Sequence, residues 1–233
     1  MRINKYLAQA GLGSRRKVEE LIAHRKIRVN GQIVRDLSTQ IKGGDIVKYN
    51  SHIVKKRNNK IYLLINKPAG YTSTHSDPHA LKTVMELVED KNLFPVGRLD
   101  RDSRGLMILT NDGDFAQRLS HPRYSHEKEY EVSARKPSDN CREKIERVMR
   151  YFKCGTVISK NYKTQPAQIK MTRCRQHQMI FRIVLKEGKK RQIRQIFAKA
   201  GLEVTDLLRV RIDKYELGDL REGETRPLTN TKL

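Results

Sequence analysis

The chain has 233 residues and carries 49 Lys and Arg against 26 Asp and Glu, a net charge of +23 at pH 7. That length accommodates one or two domains with a real core, and the surplus charge points to a polyanionic partner, nucleic acid or an anionic membrane surface. No apolar run approaches the roughly 20 residues of a membrane-spanning helix, and the opening Met1-Arg2-Ile3-Asn4-Lys5 lacks the apolar core of a secretory leader. A cytoplasmic protein without membrane insertion is therefore expected. Cys141, Cys154 and Cys174 are widely spaced and odd in number, which supports neither a disulfide framework nor a zinc knuckle. His75 and His79 have the spacing of a helical metal pair, but Pro78 between them argues against the helix, so no metal site is expected.

Residues 1–60 hold 15 of the basic residues and only 4 of the acidic ones, so about half the net charge lies in about a quarter of the chain. Ile3, Tyr6, Leu7 and Ala10 recur at helical spacing until Gly11 and Gly13 stop them. Ser14 is a good N-cap for a second helix with Val18, Leu21 and Ile22 on its apolar face. In Ile27-Arg28-Val29-Asn30-Gly31-Gln32-Ile33-Val34, Asn-Gly between alternating apolar residues signals a hairpin, because a type I′ turn needs φ > 0 at both central residues. A further strand is expected over 45–49. The second helix opens on Arg15, Arg16 and Lys17, where free backbone N–H groups and three cations make a phosphate site, with Arg25 and Lys26 in the loop after it. A merely solvated basic face is the alternative, and the density of charge favours RNA.

Lys55-Lys56-Arg57-Asn58-Asn59-Lys60 contains no apolar residue and reads as a linker. A larger unit begins at Ile61-Tyr62-Leu63-Leu64-Ile65. It shows strand patterns over 104–110, 127–135, 165–172 and 178–186, and helix patterns over 82–89, 114–120, 138–151 and 189–200. Strands outnumber helices without regular βα alternation, which predicts an α+β fold with a mixed or antiparallel sheet.

Three segments carry candidate chemistry. In Gly97-Arg98-Leu99-Asp100-Arg101-Asp102-Ser103-Arg104-Gly105-Leu106, two carboxylates stand among three arginines and lead into an apolar strand. Cations beside a carboxylate hold it ionised, as a nucleophile or base requires. Asp100 is equally readable as a surface aspartate paired with Arg98 or Arg101, Asp102 is a competing carboxylate, and Ser103 fits a turn. Asn111-Asp112-Gly113-Asp114 lacks the ligand spacing of a calcium loop and reads as a turn with Asp112 or Asp114 capping the next helix. The second segment, His126-Glu127-Lys128-Glu129-Tyr130-Glu131-Val132, alternates as a strand with Lys128, Tyr130 and Val132 on one face. Tyr130 is a core or rim residue there, or a stacking platform if that face lines a cleft. The third segment runs from Glu187 to Phe197. Ile193, Ile196, Phe197 and Ala200 anchor a helix, and Arg191 and Arg194 share a neighbouring face. They contact phosphates, or one of them reaches back to Asp100 and holds it ionised.

Together these segments resemble the bacterial ribosomal-RNA pseudouridine synthases that carry an N-terminal S4 domain. Arg2-Ile3-Asn4-Lys5-Tyr6-Leu7, Gly13-Ser14-Arg15-Arg16 and Val29-Asn30-Gly31 resemble the S4 domain. Asn66-Lys67-Pro68-Ala69-Gly70 is similar to the Lys-Pro motif of the catalytic domain, and Gly97 to Asp100 with Asp102 to Leu106 matches the signature of the catalytic aspartate. The resemblance implies an S4-like RNA-binding domain over 1–54, a linker over 55–60 and a synthase domain over 61–233. It places Asp100, Tyr130 and Arg194 in catalysis, with Arg194 the basic partner of Asp100. It assigns Arg98, Leu99, Lys67 and Leu207 to the substrate pocket. RNA contacts fall to Arg2, Lys5, Arg15, Arg16, Lys17, Arg25, Lys26, Arg28, Arg191 and Arg209. Gln195, where relatives repeat a basic residue, and Asp213, where many have glycine, depart from the pattern.

The implied reaction detaches a uracil from C1′, turns it and rejoins it through C5, with no cofactor and no metal. Asp100 starts it by attacking the nucleoside or by removing a sugar proton. The expected partner is ribosomal RNA, 23S ahead of 16S, free or in an assembly intermediate, with a tRNA stem-loop as a further alternative; a monomer is expected. A non-catalytic S4-type assembly factor is the rival of another class. A nucleosidase would release uracil, and no recognition-helix pattern suggests a DNA-binding regulator.

Overall fold

The computed structural model describes residues 1–56, 59–74 and 82–229. His75, Pro78 and His79, and part of the expected linker, lie outside the described residues. The chain forms two compact units, one of Met1–Ile61 with Asn111–Gly113 and one of Tyr62–Thr110 with Asp114–Leu233.

The first unit contains α1 (Ile3–Gln9), α2 (Arg15–Ala23), β1 (Ile27–Val29), β2 (Gln32–Ile33), β3 (Val47–Tyr49) and β4 (His52–Ile53). Ser14 caps α2 by accepting from the Lys17 N–H at 3.2 Å, satisfying a donor the first turn leaves unpaired. Asn30 and Gly31 take φ of 50° and 85°, the left-handed pair a type I′ turn needs, and close the β1–β2 hairpin. The antiparallel sheet runs β2-β1-β3-β4. Ile3, Leu7, Val18, Ile22, Ile27 and Val47 form its core with the helices. Burying the apolar faces of two short helices is what stabilises elements too short to persist alone.

The second unit contains β5 (Tyr62–Lys67), β6 (Phe94–Val96), β7 (Arg104–Thr110), α3 (Gly113–Ser120), β8 (Lys128–Arg135), α4 (Cys141–Cys154), β9 (Val157–Ile158), β10 (Tyr162–Lys163), β11 (Gln168–Cys174), β12 (Gln178–Leu185), α5 (Gln192–Lys199), β13 (Val204–Ile212), β14 (Tyr215–Glu216) and β15 (Thr225–Pro227). Its sheet runs β11-β12-β8-β13-β7-β5-β15, with β6 beside β7 and β14 beside β13. The β7–β13 pair is parallel and the others are antiparallel, so the sheet is mixed. Phe115 and Leu119 of α3 pack on Leu64, Leu106 and Ile108. Phe197 of α5 meets Phe152 of α4 at 5.9 Å and Phe181 of β12 at 5.3 Å, both edge-on.

Three expectations need correction. The 82–89 helix is a single 3₁₀ turn, Val84–Leu87. Glu86 accepts from the Thr83 N–H at 2.7 Å to start it, and Val88 is extended at φ −131° and ends it. The other two helices begin later than their periodicity suggests: Asn140 and Arg191 are left-handed, with φ of 48° and 52°, so α4 starts at Cys141 and α5 at Gln192.

Candidate active site

The Gly97–Ser103 turn between β6 and β7 is tied down on both sides. The Leu99 N–H donates to Ser73 Oγ at 3.0 Å, and that hydroxyl donates to the Leu99 carbonyl at 2.7 Å. The Gly70 N–H donates to the Arg101 carbonyl at 2.7 Å, and Arg101 Nε donates to the Gly70 carbonyl at 3.2 Å. The Ser103 N–H closes the turn on the Asp100 carbonyl at 3.1 Å. Two ties to a neighbouring segment give a loop carboxylate the fixed position that a reacting group needs.

Asp100 faces a cavity of about 410 Å³. Tyr130 from β8, Leu207 from β13 and Leu185 from β12 give it an apolar wall. Arg98, Lys189, Lys190, Arg191 and Arg194 add cations. Tyr130, Leu99 and Leu207 are buried, and Arg98, Lys189, Lys190 and Arg191 are exposed. The arrangement suits a planar uncharged ring between apolar groups, with phosphate outside it.

The structure brings together Asp100, Tyr130, Arg194, Arg98, Leu99, Leu207 and Arg191 around that cavity. It corrects the expectation that an arginine reaches back to Asp100. Arg194 Nε lies 3.3 Å from Asp102 Oδ2, and Arg191 grips the same carboxylate at 3.0 Å through both Nη atoms. Asp100 has no ion-pair partner among the described residues. The left-handed turn at Arg191 and the start of α5 aim both guanidinium groups at the Asp102 side of the loop. Burial works to raise the Asp102 carboxyl, but the hydrogen bonds from Arg191 and the charges of Arg194 and Arg191 hold it below the usual carboxylate range.

Lys67 and Arg209 also need correction. Lys67 does not line the cavity; it is fully buried, and its Nζ donates to the Pro68 and Tyr71 carbonyls, each at 2.9 Å. Desolvation, then the charge of Arg209, lowers its pKa to about 8, against the opposing fields of Asp102, Asp100 and Glu222. Arg209 is only 2% exposed and does not present itself to RNA. Its Nε donates to the Leu106 carbonyl at 2.7 Å and Nη1 to the Arg98 carbonyl at 3.4 Å, so it braces the loop from behind.

In the first unit Arg2, Arg15, Arg16, Lys17, Arg25, Lys26 and Arg28 are exposed, whereas Lys5 is half-buried. Gln195 is half-buried, accepting from the Ser159 N–H at 3.0 Å and donating to the Lys190 carbonyl at 2.6 Å. Asp213 is left-handed, at φ 52°, which fits a position where glycine is common, and pairs with His126 at 3.2 Å. Lys189, Lys190 and Leu185 were not singled out from the sequence, although Gly188-Lys189-Lys190 just ahead of a helix is a legible cationic signal. Ser73 carried no signal, because its role exists only through a partner 26 residues away.

Among the described residues no helix is long and apolar enough to cross a membrane, and no group of three or more His, Cys, Asp or Glu is placed to hold a metal. The profile of the RNA pseudouridylate synthases matches residues 61–199 and that of the S4 domain matches residues 1–47. The chain is 35% identical to the ribosomal large subunit pseudouridine synthase B of Bacillus subtilis strain 168, over 98% of this chain and 92% of that protein. It is also 35% identical to the dual-specificity RNA pseudouridine synthase RluF of Escherichia coli strain K12, over 100% of this chain and 77% of that one. A crystal structure of a pseudouridylate synthase superposes with a TM-score of 0.68 at 26% identity, covering 98% of this chain and 96% of the other. A cavity that joins a tethered aspartate, a tyrosine face and a cationic rim thus sits in a chain that belongs to the RNA pseudouridylate synthase family and carries an S4 domain ahead of its synthase domain.

Proposed function

We propose that the protein converts one uridine of ribosomal RNA, in 23S rRNA ahead of 16S, to pseudouridine, with Asp100 as the group that starts the reaction. The observation that carries this reading is the convergence of Asp100, Tyr130, Leu207 and Arg194 on one cavity from four separate elements. A uridine in a helix leaves its stack at a cost of a few kcal/mol. Stacking on Tyr130 returns about 1–3 kcal/mol of that, and Leu207 and Leu185 supply apolar contact. Arg98, Lys189, Lys190 and Arg191 neutralise the flanking phosphates, which carries most of the affinity and makes it sensitive to salt. Asp100 then breaks the bond between C1′ and N1, by attacking the nucleoside or by removing a sugar proton, and the base rejoins through C5, which gives up its proton while N1 gains one. Atoms balance within the one nucleotide. Arg2, Arg15, Arg16, Lys17, Arg25, Lys26 and Arg28 of the S4 domain position the RNA without specifying its sequence. The enzyme acts in the cytoplasm as a monomer, on free rRNA or an assembly intermediate. The name of the Bacillus subtilis relative, for the large subunit, supports 23S rRNA.

Pseudouridine mapping on unmodified 23S and 16S rRNA, with the wild type and with Asp100→Asn, tests this directly. One new pseudouridine in 23S rRNA, absent with the variant, is expected. Turnover by the variant would remove Asp100 from the reaction, and modification of 16S rRNA alone would reassign the substrate.

A further inference from the structure

Asp102 has no role in the reaction described above, yet it is the carboxylate that both cavity arginines engage. The Arg191 fork spans it, Nη1 to Oδ1 and Nη2 to Oδ2, each at 3.0 Å. Arg194 Nε lies 3.3 Å from Oδ2, and its Nη2 donates to the Asp102 carbonyl at 3.0 Å. Arg194 keeps one further tether, from Nη1 to the Val204 carbonyl at 3.1 Å. The Arg191 side chain has no other hydrogen-bond or ion-pair partner among the described residues, and it is 42% exposed. A two-point guanidinium–carboxylate pair fixes a plane as well as a distance. The Asp102 carboxylate therefore sets where Arg191 points and completes the anchoring of Arg194.

We propose that Asp102 is a positioning residue of the isomerisation: its carboxylate, two residues along the chain from Asp100, aligns Arg191 and Arg194 at the cavity. This rests on the reading that Asp100 and Arg194 act on a uridine there. The sign of the charge separates positioning from simple RNA binding. An anion at the mouth of a site for a polyanion opposes association, so a neutral residue would bind RNA as well or better. Aligned arginines instead favour the charge distribution of the reacting nucleotide, and that benefit appears in turnover. The low pKa of the Asp102 carboxyl keeps the pair intact across neutral pH.

Asp102→Asn preserves shape and one acceptor but removes the charge. Pseudouridine formation on an rRNA fragment and RNA affinity are measured for the wild type, D102N, R194Q and the D102N/R194Q double variant. D102N is expected to lower kcat about tenfold with RNA bound as tightly as by wild type or more tightly. In the R194Q background the Asp102→Asn change is expected to cost less turnover than in wild type, leaving only the share that runs through Arg191. Unchanged kcat in D102N, weaker RNA binding as its only effect, or independent losses that add in the double variant would overturn the proposal. Arg191→Lys keeps a cation but cannot make the fork; it should lose part of the same turnover, and wild-type turnover in R191K also overturns the proposal.

A readout independent of activity is the ¹⁵N-arginine spectrum, in which the Arg191 and Arg194 Nε–H signals should move in D102N and stay in place in D100N. If they do not move in D102N, the pairing is absent and the proposal falls. If wild-type protein modifies no rRNA, the functional reading fails while the spectra still decide the pairing. If wild type turns over and D102N matches it, only the positioning role is lost.

Discussion

At the scale of single residues, burial separates the cations of the second unit into two kinds. Arg98, Lys189, Lys190 and Arg191 face outward at the cavity, whereas Lys67 and Arg209 are spent on backbone carbonyls beneath the loop that carries Asp100. Lys67 has a thermodynamic consequence. Its folded pKa of about 8 lies below the ordinary 10.5, so at neutral pH the fold holds a charged group that burial disfavours. Between those two values the unfolded chain binds the proton and the folded one does not, so this group's contribution to stability rises with pH. Lys67→Met cannot titrate. Urea midpoints measured from pH 8 to 10 should climb less steeply for the variant than for wild type, and identical slopes would show that Lys67 keeps its proton in the fold.

At the scale of elements, the parallel contact between β7 and β13 sets the geometry of the site, because it puts Leu207 near the loop that ends at Ser103. Gly105 makes that approach possible. It pairs with Arg209 and takes φ +110°, and a Cβ there would lie 2.4 Å from the Arg209 carbonyl oxygen and 2.6 Å from its nitrogen. Backbone atoms on both strands cannot yield as a flexible side chain would. Gly105→Ala is expected to destabilise the unit by more than about 3 kcal/mol, combining backbone strain with overpacking. Chemical denaturation measures it, and a loss under about 1 kcal/mol would mean that the strands separate without cost.

At the scale of the whole molecule, the chain joins a small basic unit to a larger one with its own cavity, a division of labour between holding RNA and altering it. The Gln variant of Arg15, Arg16 and Lys17 together should weaken binding to structured rRNA and lower the slope of log affinity against log salt by about 2–3. Turnover at saturating RNA should stay near the wild-type value. An unchanged salt slope would show that the start of α2 does not meet phosphate. Membership of the RNA pseudouridylate synthase family, shown by the match over 61–199, also removes the non-catalytic assembly factor from consideration.

What could be read without the structure was local. Ser14 as a cap, Asn30-Gly31 as a turn and the 104–110 strand depend on neighbours in the chain, and each stands where residue chemistry puts it. The motif around Asp100 was equally legible, since its residues are contiguous. Strand β13 was missed: Asp206, Arg209 and Arg211 break its apolar alternation, and it is a strand because β8 and β7 flank it. The family resemblance placed Arg209 on RNA and paired Arg194 with Asp100. Burial put the first against the Leu106 carbonyl, and the arrival of α5 at the loop put the second on Asp102, 92 residues away in the chain. The sequence by itself determined the caps, turns, charge and motif, because these arise between adjacent residues. Only the tertiary structure decided which cations face the cavity and which carboxylate the arginines hold, because burial and long-range pairing exist only once the strands have come together.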